Sequence, residues 1–153
     1  MPLIRRVDEV FKESLPERYQ AQADIIAQTS EDFYISQTVF TTITVNMNFQ
    51  TAVHKDKGDY EKGFGVLTAL RAGHYTGCYF VLPKYRIACD MQTGDVMLAD
   101  VHEWHGNTPI YPQGRFERLS LVFYYREKMQ YCDDAEAELL KAKKERGQTH
   151  VEW

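Results

Sequence analysis

FYISQTVFTTITVNMNF, residues 33–49, is where the hydrophobic period of the chain changes. Aromatic and β-branched residues dominate it, as they do in strands, and one or two strands are predicted between Phe33 and Phe49. Strand is predicted to continue through Thr51–His54. Downstream, Gly58, Gly63 and Gly65 permit tight backbone in a Lys55–Gly65 loop. Further strands are then expected at Val66–Ala69, Tyr79–Leu82, Arg86–Asp90, Val96–Asp100 and Leu119–Tyr125, punctuated by Gly73, Pro83 and a Thr93-Gly94-Asp95 turn. Many short strands joined by turns imply a mainly β domain of the jelly-roll, cupin-like type with flanking helices.

Upstream of the strands the period is helical. Ser14 and Glu17 have capping-box spacing and Pro16 falls in a first turn, so a helix is predicted from Leu15 to Gln28, with Tyr19, Ala23 and Ile26 on one side. A shorter helix before it would turn Val7, Val10 and Phe11 inward. At the other end DDAEAELLKAKKER, residues 133–146, has acids first and bases last, as the helix dipole favours, and reads as a surface helix. The expectation is one domain over residues 1–153, with a helical start at 1–30, a β-core at about 33–126 and a final helix at about 133–146.

With 153 residues, 44% of them hydrophobic and 13% aromatic, the chain can bury a core without disulfides or structural metals. Its net charge of −4 gives no general attraction to nucleic acid, so a DNA partner would need a local basic surface. Lys55, Lys57, Lys62, Lys84 and Arg86 could form such a rim. Cys78, Cys89 and Cys132 are odd in number and lack metal-cluster spacing, which points to a reducing intracellular setting, cytoplasmic or nuclear. MPLIRRVDEV has no long apolar segment and no run approaches about 18 apolar residues, so neither secretion nor a membrane span is expected.

His54 and Asp56, two apart, would share one face of a strand and could take two neighbouring positions on a metal ion. A third ligand would complete a facial triad of the kind that suits non-haem Fe(II). GDVMLADVHEWHGNTP, residues 94–109, offers His102 and His105, and spacing leaves both open. Arg118, heading the strand LSLVFYY, would point into the same barrel, where a guanidinium requires an anion.

Taken together, HKDKGDYEKGFGVL (54–67), DVHEWHGNTP (100–109) and RLSLVFYYR (118–126) resemble the Fe(II)/2-oxoglutarate dioxygenases. The first two segments resemble the base-J-binding-protein thymine hydroxylases, and the third resembles the ten-eleven translocation methylcytosine oxidases. The resemblance covers roughly Thr42 to Arg126. It implies a distorted double-stranded β-helix with Fe(II) held by His54, Asp56 and His105, which leaves His102 as a pocket residue. It also implies that Arg118 clamps the distal carboxylate of 2-oxoglutarate, with Ser120 adding a hydrogen bond from the same face. Asp59 falls where the methylcytosine oxidases place a base-contacting Asn, and Tyr124 and Arg126 fall at their Tyr and His beside the base. Trp104 and Tyr124 are candidates for stacking on a flipped nucleotide.

The implied reaction couples 2-oxoglutarate and dioxygen to hydroxylation of a C–H bond, with a pyrimidine 5-methyl group in DNA as the expected substrate. One rival is the same chemistry on a small molecule, a free nucleotide or a protein side chain. The other is a cupin-like metal-binding module without turnover, against which Arg118 argues, since such a module needs no cosubstrate anchor.

Overall fold

Pro16 sets the first break in the chain, because the residue before a proline is pushed out of the α region. In the computed structural model, which describes residues 2–147, α1 (Pro2–Ser14) and α2 (Pro16–Ile26) meet at Leu15, whose φ of −136° and ψ of 65° are non-helical. The expected capping box is not formed. Ser14 is the last residue of α1, Leu15 occupies the cap, and no side chain bonds there. Backbone bonds replace it: Leu15 N donates to Phe11 O at 3.0 Å and Tyr19 N donates to Leu15 O at 2.9 Å, so a Ser14 cap would be redundant. Residue 1 and residues 148–153 of the expected domain lie outside the described residues.

Strand begins later than the sequence suggests. Glu31–Phe33 is one 3₁₀ turn, and residues 34–41 form a loop closed by Ile35 N donating to Phe40 O at 2.8 Å. Its apolar content reflects burial rather than extension, since Val39 and Phe40 enter the core from this loop. The strands are β1 (Thr42–Met47), β2 (Gly65–Gly77), β3 (Phe80–Leu82), β4 (Ile87–Cys89), β5 (Val96–Ala99), β6 (Gly106–Asn107) and β7 (Ile110–Tyr124). They form two antiparallel sheets, β1-β7-β2-β5 and β4-β3-β6. The strand expected at Thr51–His54 is absent, and His54 makes only an isolated bridge.

β2 and β7 both outrun their expected lengths, pairing from Val66↔Phe123 to Gly77↔Ile110 with a register shift between Gly73 and Tyr75. Gly73 sits there at φ +74°, and a Cβ would lie 2.1 Å from Arg115 O, so the shift requires glycine. The first half of β7, IYPQGRFE, is largely exposed and carries no apolar alternation, which is why its strand character is hidden.

Alternation in the second half of β7 divides the molecule. Leu121 and Phe123 face Val7, Phe11 and Phe40 under the helices. Arg118, Ser120, Val122 and Tyr124 face the space between the sheets, where Leu67, Ala69, Phe80 and Met91 form a second core. α3 (Ala135–Glu145) starts as expected, with Asp134 Oδ1 accepting from Ala137 N at 2.8 Å, and buries no side chain. Among the described residues no helix is long and apolar enough to cross a membrane.

Phe123 is fully buried between helices and sheet. Replacing it with Ala should cost about 3–5 kcal/mol, read as a lowered urea midpoint with the slope unchanged.

Candidate metal centre and active site

Two loops, not a strand, build the site. His54 N donates to His105 O at 2.8 Å and His105 N donates to His54 O at 2.9 Å, so one reciprocal pair clamps the loop before β2 onto the loop before β6. Asp56 N is fixed in turn by Val101 O at 3.0 Å. The side chains converge from these anchors. His54 Nε2 lies 3.2 Å from Asp56 Oδ1 and His105 Nε2 lies 3.6 Å from Asp56 Oδ2. One ligand atom from each of the three residues falls within 4.8 Å of the others. Donors about 2.1 Å from a metal and at right angles stand about 3 Å apart, so modest closure onto an ion completes a face.

The second partners of the histidines fix their chemistry. His54 Nδ1 is 2.8 Å from Ala52 O and His105 Nδ1 is 2.9 Å from Glu103 O. A carbonyl only accepts, so a proton on each Nδ1 satisfies it and would leave each Nε2 lone pair for a metal ion held beside Asp56. His105 is further held by the Phe80 ring, stacked at 5.6 Å. Two imidazoles and a carboxylate on one side of an open cavity fit Fe(II).

His102 is not part of this group. Its Nδ1 meets Asp100 Oδ1 at 3.1 Å and its Nε2 meets the Asp59 carbonyl at 3.3 Å, so both ring nitrogens are engaged away from the triad.

The triad opens into a cavity of about 250 Å³, and Asp59, Arg118, Ser120, Tyr124 and Arg126 all line it. Arg118 is 3% exposed. Its backbone N–H donates to Asn48 Oδ1 at 2.7 Å, and among the described residues no carboxylate lies within 4 Å of its guanidinium. Tyr124 OH is held 3.3 Å from Thr44 Oγ1. Asp59 is buried beside Asp56, and its carboxyl is pushed up to about 6, first by desolvation and then by the Asp56 charge, against the pull of His102 and Arg126. Trp104 and His102, expected at the substrate, do not reach the cavity wall. Trp104 is 50% exposed outside it, with Lys55 Nζ 5.8 Å from its ring centroid.

Several wall residues escaped sequence reading, among them Asn46, Phe49, Phe80 and Asn107. Asn46 carried a usable signal: TITVNM alternates, and pairing it with LSLVFYY puts Asn46 level with Ser120 on the inner face. Phe49 gave none, because it follows the strand and is placed by Asn48 and Gln50, which bind the backbone N–H groups of Arg118 and Ile110.

Replacing His105 with Ala should remove Mn(II) or Fe(II) binding in a calorimetric titration. His102→Ala should leave that binding measurable, and the reverse pattern would exchange their roles.

The Tet_JBP family, described as the oxygenase domain of the 2OGFeDO superfamily, matches residues 1–127. Over 125 residues the chain is 40% identical to the bifunctional helicase and thymine dioxygenase JBP2 of Trypanosoma brucei brucei (strain 927/4 GUTat10.1), covering 81% of this chain and 11% of that protein. It is 38% identical over 126 residues to JBP2 of Leishmania tarentolae, covering 82% and 11%. To thymine dioxygenase JBP1 of Trypanosoma brucei brucei it is 36% identical over 157 residues, covering 99% and 18%. The chain therefore spans less than a fifth of the length of these relatives. The structure of NgTET1 in complex with 5mC DNA superposes with a TM-score of 0.68 at 16% identity, over 94% of this chain and 56% of that one, which shows the double-stranded β-helix fold. By the extent of the family match and these identities, the chain belongs to the Tet_JBP family of 2OGFeDO oxygenase domains.

Proposed function

We propose that the protein is an Fe(II)- and 2-oxoglutarate-dependent dioxygenase that hydroxylates the 5-methyl group of a pyrimidine base in DNA. The observation that carries the reading is Arg118, a buried guanidinium without a carboxylate partner among the described residues, in the same cavity as a His-Asp-His metal face. A buried cation without its anion is costly, and a dicarboxylate cosubstrate supplies that anion. Iron at the triad, with 2-oxoglutarate and dioxygen, supplies oxidation of an unactivated C–H bond while 2-oxoglutarate is decarboxylated to succinate.

The chain's own residues divide the remaining work along β7. Arg118 and the Ser120 hydroxyl receive the distal carboxylate. Tyr124 lies six residues on, roughly 20 Å along an extended strand, and with Asp59 and Arg126 forms the end that receives the base. Asp59 accepts a hydrogen bond from a base N–H, Arg126 donates to a base acceptor, and the Thr44 contact holds the Tyr124 ring in place. In a duplex the nucleotide must leave the stack to reach this depth.

Outside the cavity, Trp104 and Lys55 present an exposed aromatic face and a cation for flanking nucleotides, which moves Trp104 from the target base to its neighbours. Lys57 lines the cavity, and Lys62 lies with Lys57 along an adjoining surface groove. Lys84 is ion-paired with Glu103 and contributes less. The reducing intracellular setting belongs to the same reading, as Cys78, Cys89 and Cys132 are all free thiols.

Mass spectrometry of nucleosides from DNA incubated with the protein, Fe(II) and 2-oxoglutarate should show a hydroxylated thymine or 5-methylcytosine. DNA binding should weaken steeply with added salt. Salt-insensitive turnover of a free nucleotide, with DNA unmodified, would instead establish the small-molecule reading that the net charge of −4 favours.

Arg118→Ala should weaken 2-oxoglutarate binding roughly 100-fold or more and spare the metal. Asp59→Ala should slow base oxidation while uncoupled 2-oxoglutarate decarboxylation continues, because only substrate positioning is lost.

A further inference from the structure

Beside Arg118, among residues that do not line the cavity, lies an arrangement that the metal site and the base end do not use. Arg71 of β2 is the direct cross-strand neighbour of Arg118, so two guanidinium groups share one face of the sheet. Arg71 is neutralised by Asp90 Oδ1 at 2.8 Å and donates to Met91 O at 3.2 Å, whereas Arg118 has no carboxylate among the described residues. Tyr75, just past the register shift in β2, is 6% exposed. Its ring is fixed from two directions, with the Arg71 guanidinium 4.3 Å from the ring centroid and Phe116 at 5.2 Å. Its hydroxyl is the one buried side-chain polar atom among the described residues without a hydrogen-bond partner. Burial pushes that hydroxyl's pKa up, while the charges of Arg71 and Arg118 and the approach of the Arg118 N–H groups to its oxygen pull it down, so the Arg118 guanidinium lies close to the hydroxyl without completing a hydrogen bond of good geometry.

A guanidinium has five N–H donors, and a bidentate carboxylate takes two of them. At a residue as buried as Arg118 the others need acceptors, and the Tyr75 oxygen is a clamped acceptor with nothing yet to accept. We propose that Tyr75 is a positioning residue for cosubstrate binding: its hydroxyl oxygen receives an N–H of Arg118 and sets the direction in which the guanidinium meets the distal carboxylate of 2-oxoglutarate. The inference rests on the proposed function, because it requires the carboxylate to enter at Arg118. Arg71 and Phe116 hold the ring in place, so the bond is completed when the guanidinium is drawn into line by the carboxylate.

Calorimetric titration of the Mn(II)-loaded, oxygen-free protein tests this with two ligands: 2-oxoglutarate, and oxalate, which keeps the chelating end but has no distal carboxylate. Tyr75→Phe removes one oxygen and keeps the ring. It should raise the 2-oxoglutarate Kd about tenfold. It should leave the oxalate Kd, Mn(II) binding and the thermal midpoint without cosubstrate unchanged, since no existing bond is lost. An unchanged 2-oxoglutarate Kd would overturn the inference, and so would equal weakening of both ligands or a lowered midpoint, either of which marks a general structural role. Failure of the unaltered protein to bind 2-oxoglutarate at all would remove the proposed function itself, a separate result from any effect of Tyr75.

Discussion

The reciprocal backbone hydrogen bonds between His54 and His105 are what the functional arrangement depends on. Each residue supplies a metal-facing Nε2, and each is held by the main chain of the other, so the distance between two of the three donors is set by backbone rather than by rotamers. The carbonyls of Ala52 and Glu103, two residues before each histidine, then orient the rings. Close approach of the two loops is part of the same device. Gly106 follows His105, and a Cβ there would lie 2.9 Å from Val53 Cα, so any side chain would force the loops apart. Metal geometry is thereby transferred from flexible side chains to a bridge that a packed sheet supports through Phe80.

β7 is the second constraint. A strand places alternate residues on opposite faces, and this one must satisfy a helix-covered core through Leu121 and Phe123 while lining a polar cavity through Arg118, Ser120 and Tyr124. A one-residue slip of β7 would put the guanidinium against the helices and the phenylalanine into the cavity. The fully buried Phe123 therefore does more than stabilise the sheet, because its burial fixes the register that aims Arg118.

Chemistry was more legible in the sequence than geometry. His54, Asp56 and Arg118 were found from residue type and spacing, yet the strand invoked to bring His54 and Asp56 together does not exist. Residues i and i+2 can converge on one side of a loop as well as of a strand, so His54 and Asp56 do meet, for a reason the structure replaces. The choice between His102 and His105 was closed to spacing because it depends on which ring nitrogens are already occupied, and for His102 Nε2 the occupant is the carbonyl of Asp59, 43 residues away. The helices and the alternating LSLVFYY were visible because burial on one side imposes a period. The exposed IYPQGRFE half of β7 was not, since a solvated strand has no such pattern. Tyr75 was invisible for a related reason: the register shift at Gly73 breaks the alternation that would otherwise place it.

Charge explains how an acidic chain can present a site to anions. Among the cavity-lining residues, Lys57, Arg118 and Arg126 face Asp56 and Asp59, leaving one positive charge if both carboxyls are ionised. A divalent ion at the triad raises the local excess to three, and a dicarboxylate dianion returns it to one. Under the proposed function the order of these additions matters, because the cosubstrate meets a strongly cationic cavity and the later substrate a nearly balanced one. The raised Asp59 carboxyl fits the same picture. Part of its shift comes from the charge of Asp56, and coordination of Asp56 to a cation removes that part, so filling the metal site favours the ionised, hydrogen-bond-accepting form of Asp59 at the base end. Under the proposed function the metal face and the end that receives the base are thus coupled through two carboxylates three residues apart, in a loop that the His54–His105 bridge holds in place.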